Sequence, residues 1–179
     1  MFTTRLLVSL FEFCLTVIMS VLVVYINYRL FEHANPDYDH EVELAKGNVA
    51  VAILLAALLF SSGLMIQKGI YPVVSLFRLY MTSPLEATLG RSQMFLYGVA
   101  HLVMAFVLTV FTMSFALRLF GRLTSELRPG KELQKNNVAV GIVLASVVLV
   151  VGLYVSEGLG SLSKSLIPQP SMGRVQVMH

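Results

Sequence analysis

Residues 6–28, 48–66, 94–117 and 137–154 are four stretches almost free of charge, interrupted by only one acidic side chain, Glu12, and one basic one, His101. A helix needs about 20 predominantly apolar residues to cross roughly 30 Å of hydrocarbon, and each stretch is of that order. Soluble helices carry polar residues every turn or so; these do not. The chain is 56% hydrophobic and 13% charged, against about 25% charged in soluble domains. Too little charge is left to cover a water-facing surface, so the solvent must be largely lipid. The expected class is therefore all-α: a polytopic membrane protein with four transmembrane helices.

The first stretch is read as a span rather than a signal peptide. Its apolar run exceeds the usual h-region of about 7–15 residues, and no small-x-small cleavage pattern follows it. The lone cysteine, Cys14, cannot form an intrachain disulfide. Tyr25, Tyr28, Tyr71, Tyr80, Tyr97 and Tyr154 fall near span ends, where amphipathic rings favour the headgroup region.

The sequence also resembles itself at a fixed interval. Glu43, Leu44, Lys46, Asn48, Val49, Ala50, Val51, Ile53, Leu55 and Ala56 recur 89 residues later as Glu132, Leu133, Lys135, Asn137, Val138, Ala139, Val140, Ile142, Leu144 and Ala145. Gly63, Gly69 and the run Arg29-Leu30-Phe31 recur at the same interval as Gly152, Gly158 and Arg118-Leu119-Phe120. Apolar letters can match by chance; Glu, Lys, Asn, Gly and Arg holding one register point to tandem duplication. The expected units are residues 1–89 and 90–166, followed by an extended tail over 167–179. Each unit holds two spans, so both share one orientation, and a pseudo-twofold axis is expected along the membrane normal.

The motif E-L-x-K-x-N-x-A-V-x-I, present twice and each time followed by a glycine-containing helix, resembles that of the bacterial inner-membrane family called Domain of Unknown Function 350. The resemblance implies four spans, a bacterial inner-membrane location, no established enzymatic activity and an association with membrane-stress proteins.

Helical projection separates two kinds of stripe. Asn48, Ala52, Ala56 and Gly63 fall within about 80° of arc on the second span, and Asn137, Gly141, Ala145 and Gly152 repeat them on the fourth. Small residues let backbones approach in lipid, so these two faces are expected to pack on each other. Asn48 and Asn137 stand where each helix begins and suit N-caps. On the first span Ser9, Glu12, Thr16, Ser20 and Asn27 share a face, answered on the third by His101, Ala105, Thr109, Thr112 and Ala116. Glu12 and His101 are 89 residues apart, which places an acid and a base at one expected depth. An ionisable group near a helix centre costs about 2.5–3.5 kcal/mol on insertion scales, so it usually faces protein or water. A structural Glu12–His101 hydrogen bond, a neutral Glu12 near the interface, or a proton or ion path are the readings left open. No nucleophile or metal-ligand cluster accompanies the pair, so no catalytic residue and no cofactor is expected.

The loops on the non-terminal side differ in charge. Residues 29–47 hold five acids and two bases; residues 118–135 hold five bases and two acids. They share one side of the membrane and could pair within a protomer or between copies, which suits a homo-oligomer. His33, Asp37, Asp39 and His40 match no ligand spacing for a metal. Lys and Arg counts on the two sides are six and seven, so the positive-inside rule does not decide orientation; both termini are placed in the cytoplasm as an expectation. Residues 71–80 read as a short interfacial amphipathic segment, and Asn35-Pro36 and Pro129-Gly130 as turns. A net charge of +3 without a basic soluble domain excludes nucleic acid as partner. The functional expectation is a self-assembling, non-enzymatic scaffold of the bilayer, linked to membrane stress or envelope maintenance, with a small oligomeric channel or transporter as the alternative.

Overall fold

In lipid every backbone N–H and C=O must find its partner within the segment, so each apolar stretch closes its own hydrogen bonds as a helix. The computed structural model describes residues 2–34, 39–82, 90–123 and 128–166. In chain order these form α1 (Phe2–Ala34), α2 (His40–Ala45), α3 (Val49–Thr82), α4 (Arg91–Leu123), α5 (Pro129–Gln134) and α6 (Val138–Leu166), with no strand among them. The four long helices are long and apolar enough to cross a membrane. The tail over 167–179 and the turn at Asn35-Pro36 lie outside the described residues.

The 89-residue interval reappears in the helix limits. α1, α2 and α3 start at residues 2, 40 and 49, and α4, α5 and α6 at 91, 129 and 138. The short helices α2 and α5 were not anticipated. Asp39 caps α2, its side chain accepting from the Glu41 and Val42 amides at 2.9 and 3.3 Å. Pro129 opens α5 at a position where a missing N–H is harmless, so Pro129-Gly130 is a helix start rather than a free turn. Both short helices end on a left-handed residue, Gly47 at φ +78° and Asn136 at φ +58°. These are the two residue types that tolerate that conformation best.

Residues 71–80 are not a separate interfacial segment. α3 continues through Pro72 for 34 residues. At 1.5 Å per residue it is about 50 Å long, well beyond the hydrocarbon thickness. Pro72 removes one backbone donor, but Ile70, Val73 and Val74 on either side are buried. With Ile66 they join Val8, Met19 and Val23 of α1 in one apolar cluster, apart from Val73, which faces α4 at Gly98. Phe11 stacks on Phe77 at 4.3 Å between ring centres.

The larger core lies where α3 meets α4 and α6. Leu54, Leu58 and Met65 of α3 pack with Ala105 and Met113 of α4 and with Leu144, Val148 and Leu159 of α6. Backbones come close here because side chains are missing. A Cβ on Gly141 would stand 2.8 Å from the Ala50 Cα, and one on Gly152 would stand 2.5 Å from the Ser61 Cβ. Gly69 meets Ala105 of α4 in the same way. Ala145 is buried in this seam.

The expected meeting of two like faces is corrected. On α6 the stripe Gly141, Ala145 and Gly152 does face α3. On α3 the corresponding Ala52, Ala56 and Gly63 are exposed, and a Cβ on Gly63 would meet nothing within 4 Å. α3 carries a second small-residue stripe, Ala50, Ala57 and Ser61, all buried. It lies roughly 140° around the helix from the first at 100° per residue. Sequence periodicity finds both stripes and cannot rank them. The seam therefore joins unlike faces of two similar helices, and is not the like-to-like contact that a twofold axis produces.

Candidate functional site

The first candidate is the pair of caps that recur at the non-terminal ends of α3 and α6. The Asn48 side-chain oxygen accepts from the Val51 amide at 3.1 Å. Its amide nitrogen donates to Glu43 Oε2 at 3.0 Å and to the Leu133 carbonyl of α5 at 2.8 Å. Lys46 closes the group on Glu43 Oε1 at 3.0 Å. The Asn48 and Lys46 hydrogen bonds hold the Glu43 carboxyl below its ordinary range. The second cap repeats this with Asn137, Glu132 and Lys135: Asn137 donates to Glu132 Oε2 at 3.0 Å, and Lys135 lies 2.8 Å from Glu132 Oε1. Lys135 first and Asn137 second lower the Glu132 carboxyl. The first cap is buried under α5; the second is more open. Asn136 adds a contact the first cap cannot return, its side chain accepting from the Ala50 amide at 3.1 Å, because Gly47 stands at the matching position. These groups tie α3 to α5, which is a structural role.

The second candidate is the polar stripe on α1 and α4, whose halves have different surroundings. Glu12, Thr16 and Ser20 line an open groove of about 540 Å³ between α1 and α3, whose other wall includes Leu59, Gly63, Gln67 and Tyr71. Thr16 and Ser20 donate to the Glu12 and Val17 carbonyls of their own helix, and Ser9 is exposed. On α4, by contrast, His101, Thr109 and Thr112 are buried. Thr109 donates to the Ala105 carbonyl at 2.7 Å. His101 Nδ1 lies 2.9 Å from the Tyr97 carbonyl, which can only accept, so this nitrogen is the donor of the contact. Its Nε2 is buried without a hydrogen-bond partner. A Glu12–His101 hydrogen bond, one of the readings the sequence leaves open, is therefore not formed: one group faces a lateral groove and the other is sealed inside. Among the described residues, no three His, Cys, Asp or Glu side chains come together as metal ligands.

The model of the family described as Domain of Unknown Function (DUF350) matches residues 3–159. The chain belongs to this family. No curated protein and no solved structure matches it. The matched segment takes in α1 to α5 and most of α6 of this DUF350 protein, including both caps and the groove.

Two groups in this DUF350 protein escaped sequence reasoning. Lys68 and Glu157 form an ion pair at 2.6 Å between α3 and α6. They also stand 89 residues apart, so opposite charges at matching positions were a readable signal. His40 is buried, edge-on to Tyr28 and Phe31 at 4.5 and 5.5 Å between ring centres. The Asp39 cap placing it there was the missed sign.

Proposed function

We propose that this DUF350 protein is a non-enzymatic membrane scaffold that assembles with copies of itself, and that its two helical pairs descend from a tandem duplication. The groove between α1 and α3 carries this reading. It opens Glu12, Thr16, Ser20 and Gln67 sideways, toward what is hydrocarbon in a single isolated copy. Polar groups left against lipid are expensive, and the usual remedy is protein or water. The centre of the chain is filled by the α3–α6 seam, so self-association supplies cover that the fold itself does not. A bacterial inner-membrane location and membrane-stress partners are proposed on the family resemblance, and cytoplasmic termini on the reading of the sequence alone.

A second reading has its own support: the polar lining of the groove suits a proton or ion path between copies. Two measurements test the pair. Native mass spectrometry from lipid nanodiscs should find oligomers, and a monomer at every lipid ratio would reject the scaffold. Proton and cation flux in liposomes should be the same for wild type and Glu12→Gln; a loss of flux in the variant would favour the path.

A further inference from the structure

The groove between α1 and α3 has an occupied counterpart in the same chain. Of the residues 89 positions beyond its lining, His101, Ala105, Thr109, Val148, Gly152 and Ser156 are buried, and Val155 and Gly160, the counterparts of Ile66 and Tyr71, are half-buried. They bury because α3 lies across them, bringing Ser61 to Gly152 and Gly69 to Ala105. The second helical pair thus presents a cleft between α4 and α6, and α3 fills it. The first pair presents the matching cleft between α1 and α3, and within one copy it is empty.

The face of α3 that fills the cleft is Leu54, Leu58, Ser61, Met65 and Gly69. Its counterpart on α6 is Val143, Val147, Val150, Tyr154 and Gly158. Apart from Val147, which is half-buried against the core, that counterpart is turned outward: Val150 is 52% exposed, Tyr154 is 80% exposed, and a Cβ on Gly158 would meet nothing within 4 Å. A chain that joins unlike faces internally leaves one of each unlike face free at its two ends. We infer that the α6 face at Val143, Val150 and Tyr154 of one copy docks in the α1–α3 groove of the next, repeating between copies the contact that α3 makes inside each copy. This rests on the self-assembly reading and names its surface.

Three further features fit this occupant. Inside the chain α5 sits on the start of α3, its Leu133 carbonyl accepting from Asn48. The same relation between copies brings α2 onto the start of α6, with the Leu44 carbonyl at Asn137, whose amide nitrogen among the described residues donates to Glu132 alone. Charge follows the same order: residues 39–46 hold three acids and one base, and residues 128–135 three bases and one acid, so each such helix meets one of opposite sign. The groove polar groups become covered, as His101 and Thr109 already are. Thr16 stands where the second pair has Ala105, so copies sit slightly farther apart at that level than the two pairs do within a chain. An interface between unlike faces propagates, closing into a ring or continuing as a row.

The test is paired cysteines in a Cys14→Ser background. Gly63→Cys and Val150→Cys reproduce between copies the close approach of Gly152 and Ser61, within reach of a disulfide. The two single variants, carrying different tags, are co-expressed and oxidised in membranes. A mixed 63–150 dimer is expected, no like-with-like dimer from either variant alone, and a ladder of higher species from the doubly substituted chain. A 63–63 dimer, or no cross-link, overturns the docking. Gly63→Leu, which has space inside the fold, should lower oligomer yield at least tenfold with helical content unchanged; unchanged assembly also overturns it. Wild-type oligomers in native mass spectrometry without the 63–150 link would reject this surface while leaving self-assembly standing. Wild-type monomers would reject both.

Discussion

Lys68 Nζ lies 2.6 Å from Glu157 Oε1, and the two positions are related by the 89-residue interval that relates α3 to α6. Higher in the seam the partners are offset by two residues: Ala50 meets Gly141 and Ser61 meets Gly152. The two helices therefore run side by side at nearly one depth, and the ion pair pins that register at its terminal-side end. The pair is weak as a source of stability, since Glu157 is 75% exposed and exposed pairs are worth about 0–1 kcal/mol. Glu157→Gln should shift unfolding by no more than about 1 kcal/mol. Reversing one charge, Glu157→Lys, should be worse than reversing both. Equal losses in the single and double reversals, measured by thermal unfolding in detergent, would remove the pair from the account of register.

The seam sets a sharper contrast. Gly141→Ala and Gly152→Ala push a Cβ against the backbone of α3 or next to it, where neither side can swing away. Overpacking of this kind costs about 1–3 kcal/mol. Ala145→Leu should fall in the same range. The matching changes on α3, Gly63→Ala and Ala56→Leu, point out of the fold and should leave the thermal unfolding of a detergent-held monomer within about 0.5 kcal/mol of wild type. Similar losses for Gly152→Ala and Gly63→Ala would mean that like faces meet after all.

This contrast also shows where sequence reasoning reaches its limit. Four spans, their common orientation in pairs and the asparagine caps follow from apolar length, from parity and from Asn48 and Asn137 at the helix starts. The choice of face does not. Ala52, Ala56 and Gly63 form as good a small-residue stripe as Ala50, Ala57 and Ser61, and only the fit against Gly141 and Gly152 selects the second. Glu12 and His101 mislead in a related way. Matching positions in two similar units share an environment only when the units pack like to like. Here one unit's cleft is filled by the other, so the acid stays at an open groove while the base is enclosed.

The caps are equivalent in sequence and unequal in place. Asn48 satisfies the Val51 amide, Glu43 and the Leu133 carbonyl in a buried setting, whereas Asn137 serves the Val140 amide and Glu132 at a more open one. Removing an N-cap costs about 0.5–2 kcal/mol. Asn48→Ala should lie at the upper end of that range and Asn137→Ala at the lower end. Thermal unfolding of the two variants would expose the error if their order were reversed.

Acid should weaken both caps. Glu43 and Glu132 have folded-state pKa values below the ordinary carboxylate value. A lowered carboxylate contributes stability in full above its unfolded pKa and loses it as pH falls through the folded value. The melting temperature should therefore hold between about pH 7 and pH 5 and decline below the usual carboxylate range. In Glu43→Gln the decline should be shallower, because the amide keeps a hydrogen-bond acceptor for Asn48 but has no proton to gain. Parallel pH profiles for variant and wild type would show that Glu43 does not contribute to the acid response.

His101 offers the cleanest separation of packing from proton transfer. Its Nε2 is buried with no hydrogen-bond partner, and its Nδ1 bond is to the Tyr97 carbonyl, an oxygen four residues back on the same helix. A buried polar atom without a partner costs about 1–3 kcal/mol, and replacing it with an apolar group of similar size removes that penalty. His101→Leu should therefore unfold at the same temperature as wild type or a higher one, with the same proton leak in liposomes. A loss above about 2 kcal/mol would mean that Nε2 has a partner in the bilayer, such as a trapped water. A fall in proton flux with stability intact would instead return His101 to a conducting path, and would make its burial beneath α3 a gate rather than a seal.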